Sequence, residues 1–215
     1  PAEATKDGVE RTKQMKTLPI TTLITLEKDT KYVKIKTKLT NEIRDHKLVV
    51  NYPTHLPEAD FASSESAWDV AERTIKWRDH KDNFEDFFPF QPMHNFVDVS
   101  DGKNGLAFLN KGLREYEMAD DTNRTLKITL IRTQRAYMTA NGDMTSEELD
   151  QYTGQHSFGT LEYEYALYPH KGHWNEDKVL PNAYKFKVPL KAIQGVPIEG
   201  TLPMNGQFFD FSTDD

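Results

Sequence analysis

From Val33 to Leu39 the chain alternates strictly. Val33, Ile35, Thr37 and Leu39 fall on one face, and Lys34, Lys36 and Lys38 on the other. A period of two with one apolar face is the pattern of a half-buried β-strand. Related runs recur along the sequence. Leu18–Leu26 is rich in Thr and β-branched residues, and 46–52 is an apolar run closed by Pro53. Strand-like runs follow at 96–99, 105–109, 113–118, 126–132, 158–168, 184–190 and 196–202. Turn chemistry separates them: Asp101-Gly102, Asn104-Gly105, Lys111-Gly112 and Asp120-Asp121-Thr122-Asn123. Only Ala67–Arg73 and Ser146–Tyr152 are candidates for helix, the second opening on a capping box at Thr145-Ser146-Glu147-Glu148. Short strands at this spacing predict an all-β fold, a large antiparallel β-sandwich, and no alternating βαβ pattern supports a Rossmann fold or a TIM barrel. Residues 1–17 are polar and read as a linker, leaving 18–215 as the sandwich. The start at Pro1 and the strand-like end at Phe208–Asp215 predict a piece of a longer protein.

Composition narrows the function classes. The chain has 215 residues, with 12 Phe, 9 Tyr and 3 Trp, enough large side chains for a core. Its net charge of −7 repels phosphate backbones, so no nucleic-acid partner is expected. No apolar run approaches the ~20 residues that cross a bilayer, and no membrane partner is expected. Cys is absent, which removes thiolate metal sites and Cys nucleophiles and fits a cytoplasmic setting.

Candidate chemistry is sparse. His170 and His173, with His156 as a third ligand, form the first metal candidate; flanking a Lys171-Gly172 turn, they read better as solvated histidines. Glu115 with Glu117, and Glu162 with Glu164, share strand faces, but nothing singles out an acid/base pair. No catalytic residue and no metal ligand is assigned. The lysines at 31, 34, 36 and 38 offer an anion-binding row, or, as the better reading, an edge-strand guard against aggregation. Residues 76–95 carry Trp77, Phe84, Phe87, Phe88 and Phe90. They read as a long loop over the sandwich, or as a sugar-stacking platform led by Trp77 and Phe88.

Four longer strings carry a resemblance. They are Thr40-Asn41-Glu42-Ile43-Arg44-Asp45-His46-Lys47-Leu48-Val49-Val50-Asn51-Tyr52-Pro53-Thr54, the hairpin Asn104 to Glu117 with Asn110-Lys111-Gly112, the strand Leu126 to Thr133, and Gly154-Gln155-His156-Ser157-Phe158 with Tyr165 to His170. In order and spacing they resemble the C-terminal β-rich region of glycoside hydrolase family 38, the α-mannosidase family, over roughly residues 10–175. The resemblance implies a sandwich of the galactose-mutarotase-like supersandwich type. It also implies that the zinc, the Asp nucleophile and the acid/base Asp of a retaining mechanism lie in an N-terminal catalytic domain outside this chain. The chain then carries no cofactor of its own and is inactive alone. Its partners are that domain and, through the parent enzyme, an α-mannoside.

By the same resemblance, Arg132 at the end of the Leu130-Ile131-Arg132 strand is the candidate substrate-binding residue. Its planar fork suits vicinal hydroxyls or a carboxylate, and a surface or interdomain ion pair is the competing role. Lys47 stands where the family often has Arg, so Asp45-His46-Lys47 reads as structural. A stand-alone carbohydrate-binding module is the alternative function, and an adhesion-type sandwich a third. An apolar patch left uncovered without the catalytic domain makes a homo-oligomer an expectation.

Overall fold

The computed structural model describes residues 2–5, 8–11, 15–76, 88–133, 151, 153–196, 199–201, 203 and 205–207. Its strands are β1 (Ala2–Thr5), β2 (Gly8–Arg11), β3 (Ile20–Thr25), β4 (Val33–Asn41), β5 (Lys47–Pro53), β6 (Phe61–Ser66), β7 (Asp69–Thr74), β8 (Phe90–Pro92), β9 (Phe96–Ser100), β10 (Asn104–Asn110), β11 (Glu115–Met118), β12 (Thr125–Arg132) and β13 (Gly159–Lys171). A 3-10 turn covers Thr153–His156, and one helix, α1, covers Val179–Lys187.

Two large antiparallel sheets make the sandwich that the alternation predicts. The order is β3-β4-β13-β10-β9-β6-β7 in one and β5-β12-β11-β8 in the other. Strands β1 and β2, within the residues read as a linker, pair with each other. The core lies between the two sheets. Ile35, Val97, Val99, Phe108 and Tyr165 of the seven-stranded sheet meet Tyr116, Leu126 and Ile128 of the four-stranded one. Phe108 stacks on Tyr165 at 5.2 Å, and Tyr52 packs against both rings. Burial and aromatic contact of this kind supply the main driving force.

The strand period puts a second apolar row on the far face of the seven-stranded sheet. Phe96, Ala107, Leu109, Ala166 and Tyr168 point there, and α1 covers them with Val179, Ala183 and Phe186. This corrects the strand-like reading of 184–190. Residues 179, 183 and 186 follow helical spacing, and Pro181 sits in the first turn, where its missing amide costs nothing. Two further readings change. Ala67–Arg73 is a hairpin turn followed by β7, not a helix. The described residues of 196–202 form no strand. Residues 77–87 and 134–150 lie outside the described set, and with them Trp77 and most of the Ser146–Tyr152 candidate.

The lysine row also needs correction. Strand β4 lies between β3 and β13, so it is not an edge. Lys36 and Lys38 both reach Glu162 on β13, at 2.8 and 3.2 Å, and Lys34 reaches Glu27 at 2.7 Å. Glu164 pairs with Lys111. The alternating charges are cross-strand partners on a wet face.

Candidate functional site

Three of the four resemblance segments meet at one end of the sandwich, where β4 and β12 end and β5 and β13 begin. The Asn41 amide donates to the carbonyls of His156 and Ser157, at 2.8 and 3.3 Å, while its oxygen accepts from the Ile43 amide. The loop leaving β4 is thereby tied to the start of β13. His46 and Thr133 then exchange backbone and side-chain hydrogen bonds: Thr133 N donates to the His46 carbonyl, and His46 N donates to Thr133 Oγ1, each at 2.9 Å. The entry to β5 is thereby fixed against the exit of β12. His156 is buried and stacks on Phe158, and Arg44 lies 5.9 Å over that ring. Neither nitrogen of His156, nor Nε2 of His46, has a hydrogen-bond partner among the described residues. Burial pushes the His46 imidazole below its ordinary pKa.

Arg132 stands beside this junction because of a bulge. Residues Lys127 and Thr129 pair with Asn51 and Val49 on β5, but the register shifts between Thr129 and Ile131. Without that extra residue Arg132 would share the parity of Leu126 and Ile128 and point into the core. With it, Arg132 lies opposite Lys47 on the outer face of the four-stranded sheet.

Glu115 on β11 gathers the group. Its Oε1 accepts from Lys47 Nζ at 2.8 Å and from Thr129 Oγ1 at 2.7 Å, and its Oε2 from Arg132 Nη1 at 3.2 Å. The Phe90 ring underlies both cations, 3.5 Å from Lys47 Nζ and 5.8 Å from the Arg132 guanidinium carbon. Burial pushes the Glu115 carboxyl up. The hydrogen bonds from Lys47 and Thr129, with the charges of Lys47 and Arg132, outweigh it and hold the group below the ordinary carboxylate range. Two cations share one carboxylate here, and Arg132 remains half exposed. Such a site can accept hydroxyl or carboxylate oxygens in a planar fork.

The other candidates are dispersed. Glu117 is held by Lys127 at 2.7 Å. His156 precedes β13 and His170 lies near its end, so at about 3.3 Å per residue the strand separates them by more than 30 Å. His170 Nε2 instead donates to the buried Asp98 carboxylate at 2.6 Å, and His173 is exposed. Among the described residues no three His, Asp or Glu gather as a group that could hold a metal ion, and the zinc that the resemblance implies is expected in the upstream domain. Of the two residues named for a sugar-stacking platform, Phe88 is exposed and Trp77 lies outside the described residues. Lys47, Glu115 and Phe90 were each visible in the sequence, but only strand pairing brings them to Arg132.

The family described as Glycosyl hydrolases family 38 C-terminal domain matches residues 4–137, more than half of the chain. The chain belongs to that family. It is 26% identical over 206 residues, 94% of its length and 21% of the other's, to a Halalkalibacterium halodurans protein named "Putative mannosylglycerate hydrolase". It is 28% identical over 164 residues, 73% of its length and 13% of the other's, to the α-mannosidase of Saccharomyces cerevisiae. Its fold superposes with a TM-score of 0.74 and 26% identity on a crystal structure of an α-mannosidase from Enterococcus faecalis, covering 90% of this chain and 20% of that one. The family 38 chain therefore spans about a fifth or less of these relatives.

Proposed function

We propose that this chain is the C-terminal β-sandwich region of an α-mannosidase-type glycoside hydrolase. In the parent polypeptide it braces a zinc-dependent, retaining catalytic domain that cleaves α-mannosidic bonds, and it rims the sugar site with Arg132. The observation that carries the reading is the meeting of Lys47, Glu115 and Arg132, from three family-like segments, in a chain of this family. Bound to Glu115 through Nη1 and stacked over Phe90, Arg132 keeps a fixed guanidinium plane half open to solvent. A planar fork held in this way binds vicinal hydroxyls with little further loss of rotamer entropy. Zinc and the catalytic carboxylates belong to the upstream domain in this reading, and residues 1–17 connect the two. The parent works in the cytoplasm, a setting that the Cys-free composition supports. No helix among the described residues is long and apolar enough to cross a membrane.

The test is hydrolysis of an aryl α-mannoside by the parent polypeptide and by this chain, each with and without a chelator. Chelator-sensitive turnover by the parent and none by the chain is the expected result. Turnover by this chain, or chelator-resistant turnover by the parent, contradicts the proposal.

A further inference from the structure

The edge of the seven-stranded sheet breaks the usual rule for edges. Strand β3 pairs with β4 on one side and with nothing among the described residues on the other. Exposed edges normally carry Lys, Pro or a bulge that blocks pairing with another chain. From Pro19 to Leu26 this segment has no charged residue, and the strand itself, Ile20–Thr25, has neither charge nor proline. Ile20, Leu23, Ile24 and Leu26 are 47, 62, 65 and 71% exposed. No described strand pairs with the outer row of backbone groups, and the side chains on both faces are apolar or Thr.

The pattern also says what fits there. Residues of even number in β3 lie opposite Leu39, Thr37 and Ile35, on the face that continues the sandwich core. Read along that face, 18 to 26 is Leu-Ile-Thr-Ile-Leu, a palindrome centred on Thr22. A two-fold axis perpendicular to a sheet pairs antiparallel edge strands so that opposite residues share a face. About Thr22 such an axis sets Thr22 against Thr22, Ile20 against Ile24 and Leu18 against Leu26 of the second copy. We propose that β3 is a homotypic interface, through which two copies of this chain pair edge to edge and continue the seven-stranded sheet across a two-fold axis. The proposal is independent of the reading of Arg132.

The absence of Cys makes a direct test possible. In the proposed register Thr22 faces its own copy at about 4.5–5.5 Å between Cα atoms, within disulfide range. Leu23 is then about 8 Å from its own copy, beyond that range. Sedimentation of the wild-type chain at tens of micromolar is expected to show a dimer. Thr22→Cys is expected to cross-link under mild oxidation, and Leu23→Cys to stay uncross-linked. Thr22→Lys, at an exposed position, is expected to give a monomer with unchanged far-UV circular dichroism. A wild-type monomer overturns the proposal and leaves the edge to a strand from elsewhere in a longer polypeptide. A dimer that survives Thr22→Lys overturns it too, as does cross-linking of the Leu23→Cys variant without cross-linking of Thr22→Cys.

Discussion

His170 reaches Asp98 across an intervening strand, since β10 lies between β13 and β9. It can do so because Gly105, its partner on β10, has no side chain; a Cβ there overlaps the imidazole ring. The pair is buried, which makes it costly to break from one side: removing one member of a buried ion pair costs roughly 3–5 kcal/mol, because the other is left unpaired. His170→Ala is therefore expected to lower the urea-unfolding free energy by about that amount, and Gly105→Ala to lower it as well by displacing the ring. A second residue-scale strain sits at Trp68, which is fully exposed with φ of 67° at the β6–β7 turn. A bulky residue in the left-handed region costs on the order of 1 kcal/mol that glycine does not. Trp68→Gly is expected to raise the melting temperature, and a fall would show that the indole makes contacts which outweigh the strain.

At the scale of elements, α1 shows both what patterning reveals and where it stops. Phe186 packs under Lys111 and edge-on to Tyr32, and it closes the outer apolar row. Phe186→Ala is expected to destabilise the chain by roughly 3–5 kcal/mol in a denaturant titration. The alternation in β4, β10, β12 and β13 made the sandwich legible, because burial of one face imposes a period of two. The helix was not legible as such: nine residues containing a proline give little more than two turns of periodicity, and Val, Tyr and Phe favour strands equally well. Strand β6, Phe-Ala-Ser-Ser-Glu-Ser, carries too few apolar residues to announce itself, and it is buried because β7, β9 and α1 surround it. At the candidate site Arg132 was legible through resemblance, but the bulge that turns it outward was not. Nor was the assembly of Lys47, Glu115 and Phe90, which come from three different strands.

Across the whole molecule, titration sets a window of stability. Burial and neighbours together hold Glu115 below its ordinary pKa, and lysine hydrogen bonds hold Glu162 and Glu164 there too. Groups depressed in the fold contribute stability above their unfolded pKa of 4.5 and lose it as pH falls through their folded values. His170 has the opposite sign. Burial pushes it down, but the Asp98 hydrogen bond and charge outweigh this and raise it above 6.5. Its contribution is complete below pH 6.5 and is lost as pH rises through the raised value. Chemical denaturation against pH is expected to show an acid decline, to which the depressed His46 adds below about pH 6.5, and an alkaline decline above about pH 6.5 that is removed in His170→Ala. The functional account rests on Arg132 facing the sugar, and the most direct test is kcat/KM of the parent polypeptide on an aryl α-mannoside with Arg132→Ala and Arg132→Lys. The account predicts a loss of about tenfold or more in both, some 1.4 kcal/mol of transition-state binding, with the melting temperature unchanged. Wild-type kcat/KM in Arg132→Ala would contradict it and leave the residue as one partner in a surface ion pair.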